Sequence, residues 1–221
     1  MILSPESVSV LQNFATINQS IILREGNVIR TMSPSETVFA KATVSDEFPC
    51  DAPLYDLSKF LGLLSLSKDD SDIEFGSSSL LIRQGRSKVK YAYCPENLID
   101  APPVGKDIKM RDIDVKFELP QDVWSQVTKA MSIMGFSEFA FVGEDGVLSV
   151  QALSTRNESS DTYSAELGST DLTFKCVIDA DKMKLIPGNY EVSVSKAGLS
   201  YFAGDIAEYW IAISTKSEFN D

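Results

Sequence analysis

Histidine is absent from all 221 residues of this chain. With it go His-based general acid–base catalysis, His–metal sites, and Ser–His or Cys–His nucleophile pairs. Cysteine is scarce: Cys50, Cys94 and Cys176 are odd in number, widely spaced and form no CxxC pair. Neither a disulfide framework nor a metal site is expected from them; they read as free, buried or half-buried thiols. Positive charge is the third shortage. Twenty Lys and Arg against 32 Asp and Glu leave a net charge of −12 and a pI near 4.5. Capture of nucleic acid by bulk electrostatics is thereby disfavoured, although positive charge confined to one surface is not. No apolar run approaches the ~20 residues of a membrane span, and the first residues carry no basic, signal-like segment, so a soluble cytoplasmic protein is expected. What is present is an ordinary globular composition, 43% hydrophobic and 10% aromatic, at a length suited to two modest domains or one large β domain.

Most of the chain alternates apolar and polar residues in the manner of strands. The alternation predicts strands at 20–24, 27–32, 37–44, 80–83, 87–93, 138–142, 147–153, 162–167, 172–178, 189–195, 199–202 and 207–213. The proline-rich stretch 95–103 (PENLIDAPP) breaks both periods near the midpoint and reads as a linker; 154–161 (STRNESSD) reads as an exposed loop. The halves also follow one order. Each opens a helix at a proline, Pro5 or Pro120, then turns at Glu25-Gly26 or Asp145-Gly146, adds strands, and starts an Asp-capped helix at Asp56 or Asp179. This points to a duplicated domain.

Four short helices are predicted, at 5–16, 57–67, 121–134 and 180–186, and their carboxylates sit at their starts: Glu6, Asp56, Asp122, and Asp179 with Asp181. That placement suits the unpaired N–H groups and dipole of a helix N-terminus. In the second helix Leu57, Phe60, Leu61 and Leu64 form one apolar stripe; Ser58, Lys59, Gly62 and Ser65 face away, with Lys68 just beyond. In the third, Val123, Val127, Ala130 and Met131 make the stripe, leaving Ser125, Gln126, Lys129 and Ser132 outside. The first offers Ser9, Gln12 and Asn13; the fourth offers Lys182 and Lys184. Surface helices usually gain from Glu–Lys pairs, yet none is used here despite the surplus of carboxylates. Such faces suit a polyanion met without a tight grip: a few lysines attract, and small neutral side chains leave room for water.

The stretch 69–74 (DDSDIE) fails as a calcium loop, because Gly76 comes one place late and Leu81 stands where the bidentate Glu belongs; it reads as a solvated acidic turn. No Gly-rich phosphate loop is present. Two rival classes are an oligomeric β-rich adaptor, whose helices bury in a protein interface, and a carboxylate-based hydrolase, disfavoured because no acidic pair recurs at a plausible pocket.

The segments LQNFATIN at 11–18, LYDLSKFLGLLSL at 54–66 with Asp69-Asp70, MKLIPGNY at 183–190 and YWIAI at 209–213 closely resemble the sliding clamps of T-even-type bacteriophages. The similarity runs in order over nearly the whole chain, strongest in the first half and weakest near 94–114 and 154–168. The resemblance implies an α+β DNA-clamp fold: two similar domains of antiparallel sheets with helices on the inner face, assembling as a homotrimeric ring around duplex DNA. It implies domains at 1–94 and 113–221 joined by a connector at 95–112. It implies a non-enzymatic DNA polymerase processivity factor in the cytoplasm of an infected bacterium, without cofactor or metal, loaded by an ATP-driven clamp loader and serving late-transcription factors. The DNA-facing cations would be Lys59, Lys68, Lys129, Lys182 and Lys184. Relatives bring lysines to the hole on the first helix where this chain has Ile2, Pro5 and Gln12. By the same analogy Val38, Leu98, Ile99, Trp210 and Ile213 would form the partner pocket, with Trp210 as a semi-exposed anchor.

Overall fold

The structure, a computed structural model, describes residues 1–66, 71–105, 108–154 and 161–220. The chain divides into two compact units, Met1–Lys106 and Asp107–Asp221.

In the first unit, helix α1 (Pro5–Ile17) starts where the Ser4 hydroxyl accepts the Ser7 N–H at 3.2 Å, with Pro5 in the first turn and Glu6 beside it. It buries Val10, Leu11, Phe14 and Ile17. Strands β1 (Ile21–Leu23), β2 (Gly26–Met32), β3 (Val38–Phe48) and β4 (Ala52–Leu54) follow; β1 pairs with β4 and β2 with β3, all antiparallel. Helix α2 (Leu57–Leu64) is capped by Asp56, whose carboxylate accepts the Lys59 N–H at 2.8 Å. It is shorter than the 57–67 expected. The cause is Gln84 on β6, whose amide donates to the Leu63 and Leu64 carbonyls at 3.0 and 3.2 Å and so satisfies the last turn. Strands β5 (Asp72–Phe75), β6 (Ser79–Gln84) and β7 (Ser87–Ala92) complete the unit as one antiparallel sheet. α1 lies on β3 and beside α2.

The second unit begins with β8 (Val115–Leu119) and helix α3 (Gln121–Met134). Pro120 gives no side-chain cap; Asn189 supplies it instead, accepting the Gln121 N–H at 2.9 Å. The helix ends at Gly135, which adopts the left-handed conformation (φ 69°) that costs a glycine nothing. Strands β9 (Glu138–Glu144), β10 (Val147–Leu153), β11 (Tyr163–Ser169), β12 (Phe174–Asp179), β13 (Tyr190–Ser195), β14 (Leu199–Gly204), β15 (Ala207–Ala212) and β16 (Glu218–Phe219) follow. One sheet has the order β11-β10-β9-β12-β16; β8, β13, β14 and β15 run side by side in another row. α3 packs on β10 and β11, with Trp124 edge-on to Phe139 at 5.0 Å.

The units repeat each other down to single hydrogen bonds. The Leu57 N–H meets the Gln19 carbonyl at 2.8 Å, and the Ala180 N–H meets the Ser137 carbonyl at the same distance. The Ile73 N–H meets the Met1 carbonyl as β13 meets β8. Cys94 N–H closes on the Pro53 carbonyl beside β4 as Ser214 N–H closes on the Val177 carbonyl beside β12.

Three expectations are corrected. The fourth helix is a single 3-10 turn, Ala180–Lys182. Pro187 keeps Ile186 out of helical geometry, and two tyrosines take its backbone: Ile186 N–H donates to Tyr209 Oη at 3.1 Å and Tyr190 Oη donates to its carbonyl. The acidic stretch is not a turn throughout, because Asp72, Ile73 and Glu74 lie in β5. There Asp72 meets the N-terminal ammonium at 2.8 Å and Glu74 meets Arg83 at 2.8 Å, which neutralises the strand. Finally, β4, β5, β8 and β16 are strands the alternation did not announce; most of the loop expected at 154–161 lies outside the described residues.

Candidate nucleic-acid interface

The outward faces of the helices keep the composition expected of them. On α1 the exposed residues after the first turn are Ser9, Gln12 and Thr16, and the carboxylate of Glu6 accepts the Ser45 N–H at 3.3 Å. On α2 they are Ser58, Lys59 and Gly62, with Ser65 just after, and the helix's own acid, Asp56, is spent on the cap. The first unit therefore presents one described lysine, Lys59, on a neutral helical surface. Lys68 lies outside the described residues.

In the second unit α3 exposes Gln126, Thr128, Lys129 and Ser132 after Asp122 in its first turn. It also exposes Ile133 at 85% of its surface, a residue the periodicity did not single out. The turn that replaces the fourth helix splits the two lysines expected there. Lys182 is held to Asp179 at 2.8 Å with only 18% of its side chain accessible, so its charge is largely committed within the unit. Lys184 is exposed. Around them Met183 and Ile186 are buried and anchor the segment to the core.

The candidate partner residues fall in different environments. Val38 and Ile99 are buried, Leu98 is 56% exposed, and Ile213 is half-buried. Trp210 is 6% exposed and lies against Tyr201 with ring centroids 4.8 Å apart; it is a buried residue, not a semi-exposed anchor. The reason is its strand: β15 is covered on both faces, with Tyr209 and Ile211 buried on one and Trp210 on the other.

A groove that the sequence did not reveal lies in the first unit. About 210 Å³ in volume, it is floored by Ile22 and Val28, walled by Pro102, Pro103 and Val104, and flanked by Arg24 and Arg30. The exposed Val104 beside two prolines was the available signal. Arg24 ties the groove to its surroundings, meeting Asp51 at 2.6 Å and Glu96 at 2.9 Å. Burial works against its charge, but the two carboxylates outweigh that and raise its pKa further. Arg24, with the Glu25 N–H at 2.8 Å, overcomes burial at Asp51 and holds its carboxyl below the ordinary range.

The thiols have no visible chemistry. Cys176 is buried, which pushes its pKa up to about 12, while Cys50 and Cys94 are half-buried. Among the described residues no cluster of three Cys, Asp or Glu is placed to hold a metal ion.

Comparison with known proteins gives a consistent answer over both units. Residues 5–100 match the family described as DNA polymerase processivity factor, and residues 113–215 match the C-terminal part of the gp45 sliding clamp. The sliding clamp of Enterobacteria phage T4 is 30% identical over 226 residues, covering 98% of each chain. That of Escherichia phage RB69 is 31% identical over 226 residues, again covering 98% of each. Among solved structures, A. fulgidus PCNA bound to the C-terminal region of FEN-1 superposes with a TM-score of 0.69 at 14% identity, covering 98% of each chain.

Proposed function

The chain belongs to the phage sliding clamps, DNA polymerase processivity factors that tether and do not catalyse, and from that premise we propose how it holds DNA and its partners. Residues 1–94 and 113–221 act as the two clamp domains and 95–112 as their connector, and three chains close a ring on duplex DNA. The observation that carries this reading is the loss of carboxylates from the outward faces of α1, α2 and α3 after their first turns, in a protein with a charge of −12. A helical lining of that kind attracts phosphate weakly through Lys59, Lys129 and Lys184 and offers no fixed contact to break when the duplex moves. Lys182 serves the 3-10 turn more than the lining, because Asp179 holds it. Topological linkage supplies the retention, so affinity stays low and sliding stays fast.

Two open sheet edges support assembly. Among the described residues β7 ladders only to β6, and β11 only to β10. The first carries exposed Lys88 and Lys90, the second exposed Glu166. Opposite charge on two different edges favours a head-to-tail contact between copies, the kind that closes into a ring. The polymerase docks an extended apolar segment in the groove of Ile22, Val28, Pro102, Pro103 and Val104, whose size suits one or two side chains. An ATP-driven loader opens the ring, and late-transcription factors use the same platform in the host cytoplasm.

Primer extension on a singly primed circle, with the loader and ATP, tests the reading. Products lengthen when the clamp is added, and clamp loaded on the circle is lost when the circle is cut. Retention that is indifferent to linearisation refutes encirclement, and a monomeric mass at micromolar concentration refutes the ring.

A further inference from the structure

We propose that Asn18 is the positioning residue of the partner groove: it holds the connector so that residues 101–105 form a fixed wall. The inference rests on the reading that the polymerase docks in that groove. Asn18 is 5% exposed, and its side chain is used to capacity. Nδ2 donates to the Met32 carbonyl at 2.8 Å and to the Asp100 carbonyl at 3.1 Å. Oδ1 accepts the Ser20 N–H at 3.0 Å and the Ser20 hydroxyl at 3.2 Å. Two donors and two acceptor positions are all a primary amide has. One side chain thus fastens three stretches that are distant in sequence: the turn after α1, the end of β2, and the connector. Asp100 immediately precedes the groove wall. Upstream, Arg24 grips Glu96 at 2.9 Å. The connector is therefore pinned at 96 and again at 100 before it crosses Ile22 and Val28.

The second unit supplies an internal control. Matching the Gln19–Leu57 bond to the Ser137–Ala180 bond puts Phe136 in the place of Asn18. There the helix ends on left-handed Gly135, and the Phe136 N–H returns to the Met131 carbonyl at 3.0 Å. A helix at this point of the fold ends without an asparagine. After its last hairpin the second unit's chain runs into β16, which pairs with β12, where the first unit's chain crosses the groove. The amide of Asn18 is accounted for by what it holds. Aspartate keeps the acceptor for Ser20 but turns a second oxygen toward two carbonyls, and serine is too short to span them.

The test compares Asn18→Asp and Ser20→Ala with Val104→Glu in the full chain, using the cognate DNA polymerase as the probe. Binding is read by titration, and amide hydrogen exchange is read at 99–101, 104 and 105 and along α1. Asn18→Asp is expected to weaken polymerase binding about tenfold. It should speed exchange across the connector while α1 keeps its protection. Ser20→Ala, which leaves both donors in place, should change neither, and Val104→Glu should weaken binding directly. If Val104→Glu weakens binding while Asn18→Asp leaves affinity and connector exchange at the wild-type level, Asn18 does not set the wall and the inference is overturned. If Val104→Glu has no effect, the groove reading itself fails; connector exchange in Asn18→Asp then decides alone, faster exchange supporting the anchor and unchanged exchange overturning it. Should Asn18→Asp fail to fold, Asn18→Ser is read in the same way, since it removes the donors without adding charge.

Discussion

The two units share a chain order but fill it with different chemistry. The second is built around aromatics: Phe117, Phe139, Phe141 and Phe202 meet at centroid distances of 4.7 to 6.3 Å, with Tyr190 and Tyr209 alongside. The first keeps its aromatics in separate pairs, Phe48 with Phe75 and Phe60 with Tyr91, each at 6.0 Å, and buries aliphatics such as Leu11, Leu23, Ile29 and Leu54 besides. Their helices end differently too, on Asn18 in one unit and Gly135 in the other. Duplication preserved the backbone hydrogen bonds that define the fold and left the side chains free to specialise. The first unit holds the segment 96–100 through Arg24 and Asn18; the second carries the 3-10 turn of Lys182.

The sharpest way to separate the units is through their cores. Phe141→Ala should cost about 3–5 kcal/mol, since it empties the centre of the aromatic cluster. Thermal unfolding should fall accordingly, with the largest loss of exchange protection in β9, β10 and β12. Next come the helix ends. Asn18→Ala should cost about 2 kcal/mol because it removes two hydrogen bonds to part-buried carbonyls and the acceptor of Ser20, whereas Gly135→Ala should cost about 1 kcal/mol for forcing a Cβ into the left-handed region. Equal costs in chemical denaturation would erase that difference between the units.

The lysines test the comparison on the functional side. Lys59→Glu with Lys129→Glu, one from each unit, should cut processive synthesis about tenfold near physiological salt by adding repulsion to a weakly attractive lining. Lys182→Glu should cost less in processivity than either single change, because its charge is already spent on Asp179. Primer-extension length distributions measure both.

The smallest effect concerns acid. Asp46 and Asp51 are pushed up by burial, but hydrogen bonds win: the hydroxyls of Ser7 and Ser4 and the Ser4 N–H hold Asp46 low, and Arg24 with the Glu25 N–H does so for Asp51. The N-terminal ammonium holds Asp72 low as well. A carboxyl whose folded pKa is depressed contributes stability above its unfolded value, near ~3.9, and loses it as pH falls through the folded value. All three belong to the first unit. Acidification below about pH 4 should therefore loosen first-unit amides near α1 and β5 early, as followed by exchange or NMR line shapes.

How far the sequence could be read depended on how local each signal was. Period-2 alternation found most of the strands, and the stripe of Leu57, Phe60, Leu61 and Leu64 found α2. The missed strands were β4, three residues long around Pro53; β5, disguised by Asp72 and Glu74; β16, only two residues; and β8, where Val115, Phe117 and Leu119 do alternate and could have been seen. The fourth helix was over-read because Asp179 caps convincingly, while its competitors, the hydroxyls of Tyr190 and Tyr209, come from elsewhere in the chain. Among the site residues, Lys59, Lys129 and Lys184 were legible as outward positions. Trp210 was not, because the character of an aromatic says nothing about what covers it.

Sequence alone determined the duplication, the helical faces emptied of acid, and membership in a family of clamps, because each is written in local periodicity and in the order of motifs along the chain. Tertiary structure decided the rest. It turned a helix into one 3-10 turn, buried Trp210, and gave Asn18 two distant carbonyls to hold. Those outcomes depend on which groups far apart in sequence come within hydrogen-bond reach, and only the folded chain sets those distances.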